Sequence, residues 1–184
     1  MKHNLGIDID GVLTDEGPDH NSIWQQKMNE FFEREITLKE YTYDLRKAFA
    51  LNDQELNNFI QEKVEEIYSS VKAVDKAREI LTELYEKGHR LILITARSEE
   101  HRDLTEKWLE KNNIPYHELH HEDQKAPLAV EKNISLFIDD KKENKEVNEE
   151  VVPEEKEINN EDLKEEKEII EEHVNEGKEI KLDD

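Results

Sequence analysis

The sequence predicts an α/β fold in which a parallel sheet lies between two layers of helices, with a small helical insert after the first strand. Three short apolar runs, at residues 5–9, 91–94 and 135–138, have the length and composition of buried parallel strands. Segments with helical periodicity separate these runs along the chain. Strands and helices that alternate in this way are typical of a three-layer parallel sheet.

The first apolar run ends in two carboxylates one residue apart, Asp8 and Asp10, and Gly11 follows at once. Side chains alternate along a strand, so both carboxylates point to the same side. They lie at the carboxyl end of the predicted strand, where open α/β sheets bind their ligands. Two carboxylates this close repel each other unless a cation is bound, and oxygen ligands favour Mg²⁺.

The two other apolar runs also end in polar groups. Thr95, Ala96 and Arg97 follow the second run, and their hydroxyl, backbone N–H groups and guanidinium are suited to holding a phosphoryl group. Asp139 and Asp140 follow the third run and would complete a site for a hard cation. The sequence therefore predicts a magnesium and phosphate site at one edge of the sheet.

A lysine is expected at the same site, because it can neutralise charge on a nucleophile and on a phosphate. Lys125 is preferred because it precedes a predicted helix that leads to the third strand. Lys132 is the rival, but it falls near the end of that helix.

These residues resemble the four signatures of the haloacid dehalogenase superfamily. The matching positions are Asp8-x-Asp10-Gly-Val-Leu-Thr, Thr95, Lys125 and Asp139-Asp140. The motifs Ile-Thr-Ala-Arg and Phe-Ile-Asp-Asp are similar to those of the superfamily's 5'-nucleotidase branch. This branch includes 5'(3')-deoxyribonucleotidases and related bacterial nucleotidases. The resemblance covers residues 3–145 and implies a Rossmann-like sheet and phosphomonoester hydrolysis through an aspartyl-phosphate.

The resemblance also implies a role for each residue. Asp8 would be the nucleophile, and Asp10 would be the acid that protonates the leaving oxygen and then the base that activates water. Thr95 and the neighbouring N–H groups would bind the phosphoryl oxygens, and Lys125 would hold Asp8 and the phosphate. Mg²⁺ would be held by Asp8, by the Asp10 backbone carbonyl, and by Asp139 or Asp140.

The expected substrate is a small-molecule phosphate ester, and nucleoside 5'-monophosphates are implied by the resemblance alone. Another small phosphometabolite is an alternative, as is a weakly active member of the fold that binds phosphate or a partner protein. A response-regulator receiver also arranges acids, Thr and Lys around Mg²⁺. In that module, however, the acid pair comes on the first strand and the phosphorylated Asp comes later. Here the expected nucleophile, Asp8, comes first and the acid pair Asp139-Asp140 comes later.

The chain is expected to contain a catalytic core at residues 1–15 and 73–150, a helical cap at 16–72, and an acidic tail at 151–184. Within the cap, Asn52 and Glu55 have the spacing of a capping box at the start of a helix. Tyr41 and Tyr43 fall in a loop from which they could face a base or sugar. The tail is expected to form one helix near residues 161–176, packed on or beside the core.

Composition sets limits on partners and location. The formal net charge is −22, and residues 141–184 alone carry 18 acidic side chains against eight lysines. Such a chain is not expected to bind nucleic acid through its backbone. Without cysteines, a signal peptide or an apolar run of membrane length, we expect a cytoplasmic protein that binds no membrane. His120 and His121 are expected in a solvated polar loop, and no oligomeric state is predicted.

Overall fold

The computed structural model describes residues 2–140, and the statements below concern that part of the chain. Its strands are β1 (Asn4–Ile7), β2 (Thr14–Asp15), β3 (Lys72–Ala73), β4 (Arg90–Thr95), β5 (Glu118–His121) and β6 (Leu136–Ile138). Its α-helices are α1 (Ile23–Phe32), α2 (Leu45–Phe49), α3 (Asp53–Ser70), α4 (Ala77–Glu86), α5 (Arg102–Lys111) and α6 (Lys125–Glu131). Short 3₁₀ turns occur at Asp19–Asn21 and Glu99–His101. None of these helices is long and apolar enough to cross a lipid bilayer.

Four strands form a parallel sheet in the order β5-β4-β1-β6. β1 is central, and Leu5 pairs with Leu91 on one side and Leu136 on the other. The parallel α/β fold expected from the sequence is therefore confirmed. Because all four strands run the same way, the residues that follow them meet at a single edge of the sheet.

Helices cover both faces of the sheet, which explains why its strands are apolar throughout. Five consecutive residues of β4, from Leu91 to Thr95, are buried. Leu91 and Leu93 pack with α4 and α5 in one cluster, whereas Ile92 and Ile94 pack with Phe137 and the α6 side in another. Adjacent residues of one strand thus serve opposite layers, as the alternation of side chains requires.

Helices α1, α2 and α3 share a separate apolar cluster centred on the buried side chains of Met28, Phe49, Phe59 and Ile67. Helix α3 begins with the expected capping box. The Asn52 side chain accepts from the Glu55 N–H at 2.9 Å, and the Glu55 carboxylate accepts from the Asn52 N–H at 3.0 Å. This reciprocal pair satisfies two donors at the helix start that would otherwise lack partners.

A two-residue antiparallel ribbon closes the base of this helical region. Thr14 of β2 pairs with Ala73 of β3, and Asp15 pairs with Lys72. The division into a core and a cap with the boundaries given above stays a prediction. The predicted tail, residues 151–184 with its helix near 161–176, lies outside the described residues.

The expectation of a polar loop at His120 and His121 was wrong. Both residues belong to β5, which continues its parallel pairing as far as Thr95 of β4. Both are also partly buried. His120 Nε2 lies 2.8 Å from a Glu118 carboxylate oxygen, and His121 Nδ1 lies 3.0 Å from the Arg97 carbonyl oxygen. The polar side chains of these two histidines therefore do not end the strand.

Candidate active site

The ends of three parallel strands bring together all four groups of residues singled out in the sequence. Asp8 follows β1, Thr95 ends β4, and Asp139 follows β6. Lys125 is the first residue of α6. Asp8, Thr95, Lys125 and Asp139 are all buried, which is unusual for three charged side chains unless they are paired.

Lys125 is paired with two of these carboxylates. Its Nζ lies 2.5 Å from Asp8 Oδ2 and 3.0 Å from Asp139 Oδ2, and its side chain is only 2% exposed. Lys132, the rival considered from the sequence, lies elsewhere and contacts Glu118 at 2.8 Å. Burial raises the pKa of Asp8 to about 7, although the attraction of Lys125 opposes that rise.

Asp8, Asp139 and Asp140 form an acidic cluster. Each offers a carboxylate oxygen, and these oxygens lie within 4.8 Å of one another. Three carboxylates beside one ammonium group leave an excess of negative charge, which a divalent cation would balance. The all-oxygen donor set is the kind that hard cations such as Mg²⁺ prefer. The residues present therefore fit a metal of this class.

The Asp10 carboxylate points to Arg97 instead of joining the acidic cluster. Arg97 Nη2 donates to Asp10 Oδ1 at 2.6 Å, and its Nε donates to Asp10 Oδ2 at 2.9 Å. The Arg97 side chain is fully buried, and its guanidinium carbon lies 3.9 Å above the centre of the Tyr68 ring. A forked pair stacked on an aromatic ring holds a carboxylate in one orientation more firmly than a lysine would.

Thr95 lies next to this pair. Its hydroxyl oxygen is 3.4 Å from Asp10 Oδ2 and accepts the Arg97 backbone N–H at 3.2 Å. Thr95 and Ala96 are thus placed at the edge of the sheet close to both Asp10 and Arg97. The sequence grouped Arg97 with the phosphate ligands, and the structure gives its guanidinium a carboxylate partner.

Gly11 makes the turn that separates Asp8 and Asp10 from the next strand. Its φ is +74°, in the left-handed region that favours glycine. A Cβ at this position would lie 2.5 Å from Asp140 Oδ2. Glycine is therefore required both by the backbone and by the close approach of the second acid pair.

A cavity of about 650 Å³ lies beside these carboxylates. Asp8, Asp10 and Asp140 line its polar side. Its other walls come from residues of the helical region, mainly the aromatic side chains of Trp24, Tyr41, Tyr43, Phe49 and Tyr68. Tyr41 is 81% exposed, and the Tyr43 hydroxyl donates to the Asp140 carbonyl at 2.8 Å. A molecule bound to the carboxylates would thus have aromatic rings beside it.

Glu16 also lines this cavity, and the sequence analysis did not identify it. Its Oε2 accepts from Trp24 Nε1 at 3.0 Å. Burial, together with the negative charge of Asp10, raises the pKa of Glu16 to about 7. The one available signal was its position close after the Asp8–Asp10 motif. No periodicity in the sequence indicates that a glutamate lines a cavity.

Comparisons with known proteins agree with this arrangement. The model of the family described as "5' nucleotidase, deoxy (Pyrimidine), cytosolic type C protein" matches residues 2–168. The chain is 32% identical over 143 residues to a protein of Halalkalibacterium halodurans named "Putative nucleotidase BH1399", a match that covers 76% of this chain and 70% of that protein. It is 31% identical over 147 residues to a nucleotidase of Clostridium acetobutylicum, covering 77% and 72% of the two chains.

The fold also matches solved structures. A HAD-superfamily hydrolase from Geobacter sulfurreducens superposes with a TM-score of 0.52, covering 82% of this chain and 85% of that one, at 13% identity. At this identity the match concerns the fold alone. The family match spans most of the chain, and the relatives carry the name nucleotidase. The chain therefore belongs to this 5'-nucleotidase family of the haloacid dehalogenase superfamily and is a phosphatase.

Proposed function

We propose that the protein hydrolyses nucleoside 5'-monophosphates with Mg²⁺, through an aspartyl-phosphate on Asp8. The observation that carries this proposal is the buried Lys125, whose ammonium group joins Asp8 to Asp139 beside Asp140. This arrangement supports a nucleophilic role for Asp8 and a cation-binding role for Asp139 and Asp140. The proposed setting is the cytoplasm, in agreement with the family's description.

In the first step an Asp8 carboxylate oxygen forms a bond to phosphorus while the bond to the leaving oxygen breaks. Asp8 Oδ1 accepts the Ile9 N–H at 2.7 Å and Oδ2 contacts Lys125, so the carboxylate has a defined orientation before substrate binds. Mg²⁺, held by Asp8, Asp139 or Asp140 and the Asp10 carbonyl, would offset charge on the phosphoryl oxygens. Lys125 offsets the remaining charge.

Asp10 supplies the proton transfers. It donates a proton to the leaving oxygen, and its carboxylate then takes one from a water molecule. The water oxygen bonds to phosphorus while the bond from phosphorus to the Asp8 oxygen breaks, which releases phosphate and restores the Asp8 carboxylate. We propose that Arg97 is a positioning residue for Asp10, because its buried guanidinium already binds both Asp10 oxygens. The Thr95 hydroxyl and the Ala96 N–H would then bind the phosphoryl oxygens.

The proposed substrate class rests on the cavity and on the relatives. The aromatic wall of Trp24, Tyr41, Tyr43 and Phe49 suits a planar base, and about 650 Å³ suits a nucleoside. The family's description refers to 5' nucleotidases acting on deoxy pyrimidine compounds, and several relatives carry the name nucleotidase. Another small phosphometabolite would undergo the same chemistry at Asp8, but without a planar base it would not require these aromatic side chains.

The test is a phosphate-release assay over nucleoside 5'-monophosphates and sugar phosphates, with Mg²⁺ and with EDTA. Asp8→Asn should abolish turnover, and Asp10→Asn should lower kcat by about 10²-fold or more, since an amide supplies neither nucleophile nor proton. Asp15→Asn is the matched control, because its exposed carboxylate caps only the turn at Gly17.

Mass spectrometry of the wild-type protein, acid-quenched during turnover, should detect a phosphoryl group on Asp8. Substantial turnover by Asp8→Asn would refute the assigned nucleophile. Equal rates with Mg²⁺ and with EDTA would refute the metal. Preference for sugar phosphates over every nucleotide would refute the substrate class alone.

A further inference from the structure

Glu16 is fixed in the wall of the cavity by two hydrogen bonds to helix α1. Its backbone carbonyl accepts the Ile23 N–H at 2.8 Å, and its Oε2 accepts Trp24 Nε1 at 3.0 Å. Trp24 is itself held by aromatic contacts with Phe59 and Tyr68, with ring centres 6.5 and 6.2 Å apart. The carboxyl group therefore has a defined position, although it follows a strand of only two residues.

The proposed hydrolysis does not use this carboxyl group. Glu16 is not a member of the acidic cluster formed by Asp8, Asp139 and Asp140. Within residues 2–140, Trp24 is the hydrogen-bond partner of Oε2, and Oε1 has none. Glu16 is half-buried and lines the cavity, so Oε1 stays accessible from it. A donor group of a bound molecule can therefore reach this oxygen without displacing a protein partner.

The position of Glu16 defines which part of a ligand it would meet. It lines the same cavity as Asp10, which is proposed to protonate the leaving oxygen, and as the aromatic side chains of the helical region. Asp10 is the charged group that acts on it most from the sheet, followed by Asp140 and then Arg97. A ligand group at Glu16 would therefore belong to the leaving group, between the ester oxygen and any ring on the aromatic wall.

We propose that Glu16 binds a hydroxyl group of the leaving alcohol, and that this contact selects phosphomonoesters of hydroxylated alcohols such as nucleosides. This inference rests on the proposed function and adds a specificity-determining residue to it. A sugar places hydroxyl groups between the phosphate and the base, and Glu16 is near both Asp10, whose charge acts on it, and Trp24, which donates to it. The hydroxyl donates to Oε1, while Trp24 holds Oε2.

The same carboxyl group discriminates by charge. An anionic group on the leaving alcohol, such as a second phosphate or a carboxylate, would lie near Asp10, Glu16 and Asp140, and the neighbouring cation, Arg97, is already paired with Asp10. Like charges at short range in a cavity are strongly disfavoured. We therefore expect substrates with a second anionic group to be poor, for a reason that is independent of their size.

The experiment compares three forms of one nucleoside 5'-monophosphate, namely the ribonucleotide, the 2'-deoxynucleotide and the 2',3'-dideoxynucleotide. The wild-type protein should show a kcat/KM for at least one hydroxylated form that exceeds that for the dideoxy form by about tenfold or more. Glu16→Ala should bring this ratio close to one. Trp24→Phe keeps the ring but removes the donor to Oε2, so it should give an intermediate ratio even if Glu16→Ala folds poorly.

Asp15→Ala is the matched control, because it removes the neighbouring carboxylate, and it should keep the wild-type ratio. A wild-type ratio near one would overturn the proposal, as would a Glu16→Ala variant that loses the same factor on all three substrates. Absence of turnover by the wild type on every phosphate ester would instead refute the proposed function, and the role of Glu16 with it. Loss of activity on every substrate and loss of the preference for hydroxylated substrates are therefore distinguishable.

Discussion

Replacing Lys125 by methionine removes the cation that lies between two buried carboxylates while keeping a side chain of similar length. The Nζ distances of 2.5 Å to Asp8 and 3.0 Å to Asp139 correspond to attractions of about 6 kcal/mol each at an effective dielectric constant of about 20. Most of this attraction offsets the desolvation of the three groups. Breaking a buried pair by removing one partner nevertheless costs roughly 3–5 kcal/mol, and we expect a loss of this size at pH 8.

The loss should depend on pH in a direction that the Asp8 carboxyl group determines. Burial raises the pKa of Asp8 from 3.8 to about 7, and Lys125 opposes that rise, so the variant should have a still higher pKa. An acid whose pKa is higher in the folded state costs stability as the pH rises from its unfolded value through its folded value. The free energy of unfolding of Lys125→Met should therefore fall further below that of the wild type at pH 8 than at pH 5.

The assay is urea unfolding at both pH values in EDTA, followed by a phosphatase assay with Mg²⁺. Lys132→Met is the matched control, since Lys132 forms a partly exposed pair with Glu118 at 2.8 Å and should contribute at most about 1 kcal/mol. Lys125→Met should be inactive, whereas Lys132→Met should keep its activity. Equal stability losses in the two variants, or a larger loss for Lys125→Met at pH 5, would refute the reasoning.

Two further substitutions test the geometry of the site. Gly11→Ala should lower the apparent affinity for Mg²⁺ by about tenfold or more, because the new Cβ would displace the Asp140 carboxylate. It should also lower the melting temperature, because a φ of +74° is strained for alanine. Titration of activity with Mg²⁺ measures the first effect, and a thermal melt measures the second. Arg97→Lys should lower kcat by about tenfold with little change in KM if Arg97 acts by holding Asp10. A rise in KM at constant kcat would show that Arg97 binds substrate directly.

The sequence was sufficient to predict the residues that meet at the edge of the sheet. Parallel strands with short polar ends place Asp8, Thr95 and Asp139 together, whatever the details of the intervening segments. The choice of Lys125 over Lys132 also followed from local order, because Lys125 begins helix α6 and Lys132 follows its end. The Asn52 capping box is equally local, since its two hydrogen bonds join residues three positions apart.

Interactions between distant segments could not be predicted in the same way. Arg97 and Asp10 are 87 residues apart, and nothing in either motif indicates that the guanidinium would bind the carboxylate instead of a phosphate. The stacking of Tyr68 on Arg97 depends on how α3 packs against α5. Glu16 was missed because its importance comes from the cavity around it and not from any pattern in its neighbours.

The ribbon formed by β2 and β3 has a consequence for how the substrate range of this protein could change. Because Thr14 pairs with Ala73 in a ribbon separate from the parallel sheet, the segment between them begins and ends at adjacent points. Doubling the length of a segment whose ends are already held together changes its closure free energy by only about 0.6 kcal/mol. A different set of helices could therefore be grafted at this ribbon without shifting β1 against β4, provided that it supplies an aromatic ring above Arg97 in place of Tyr68.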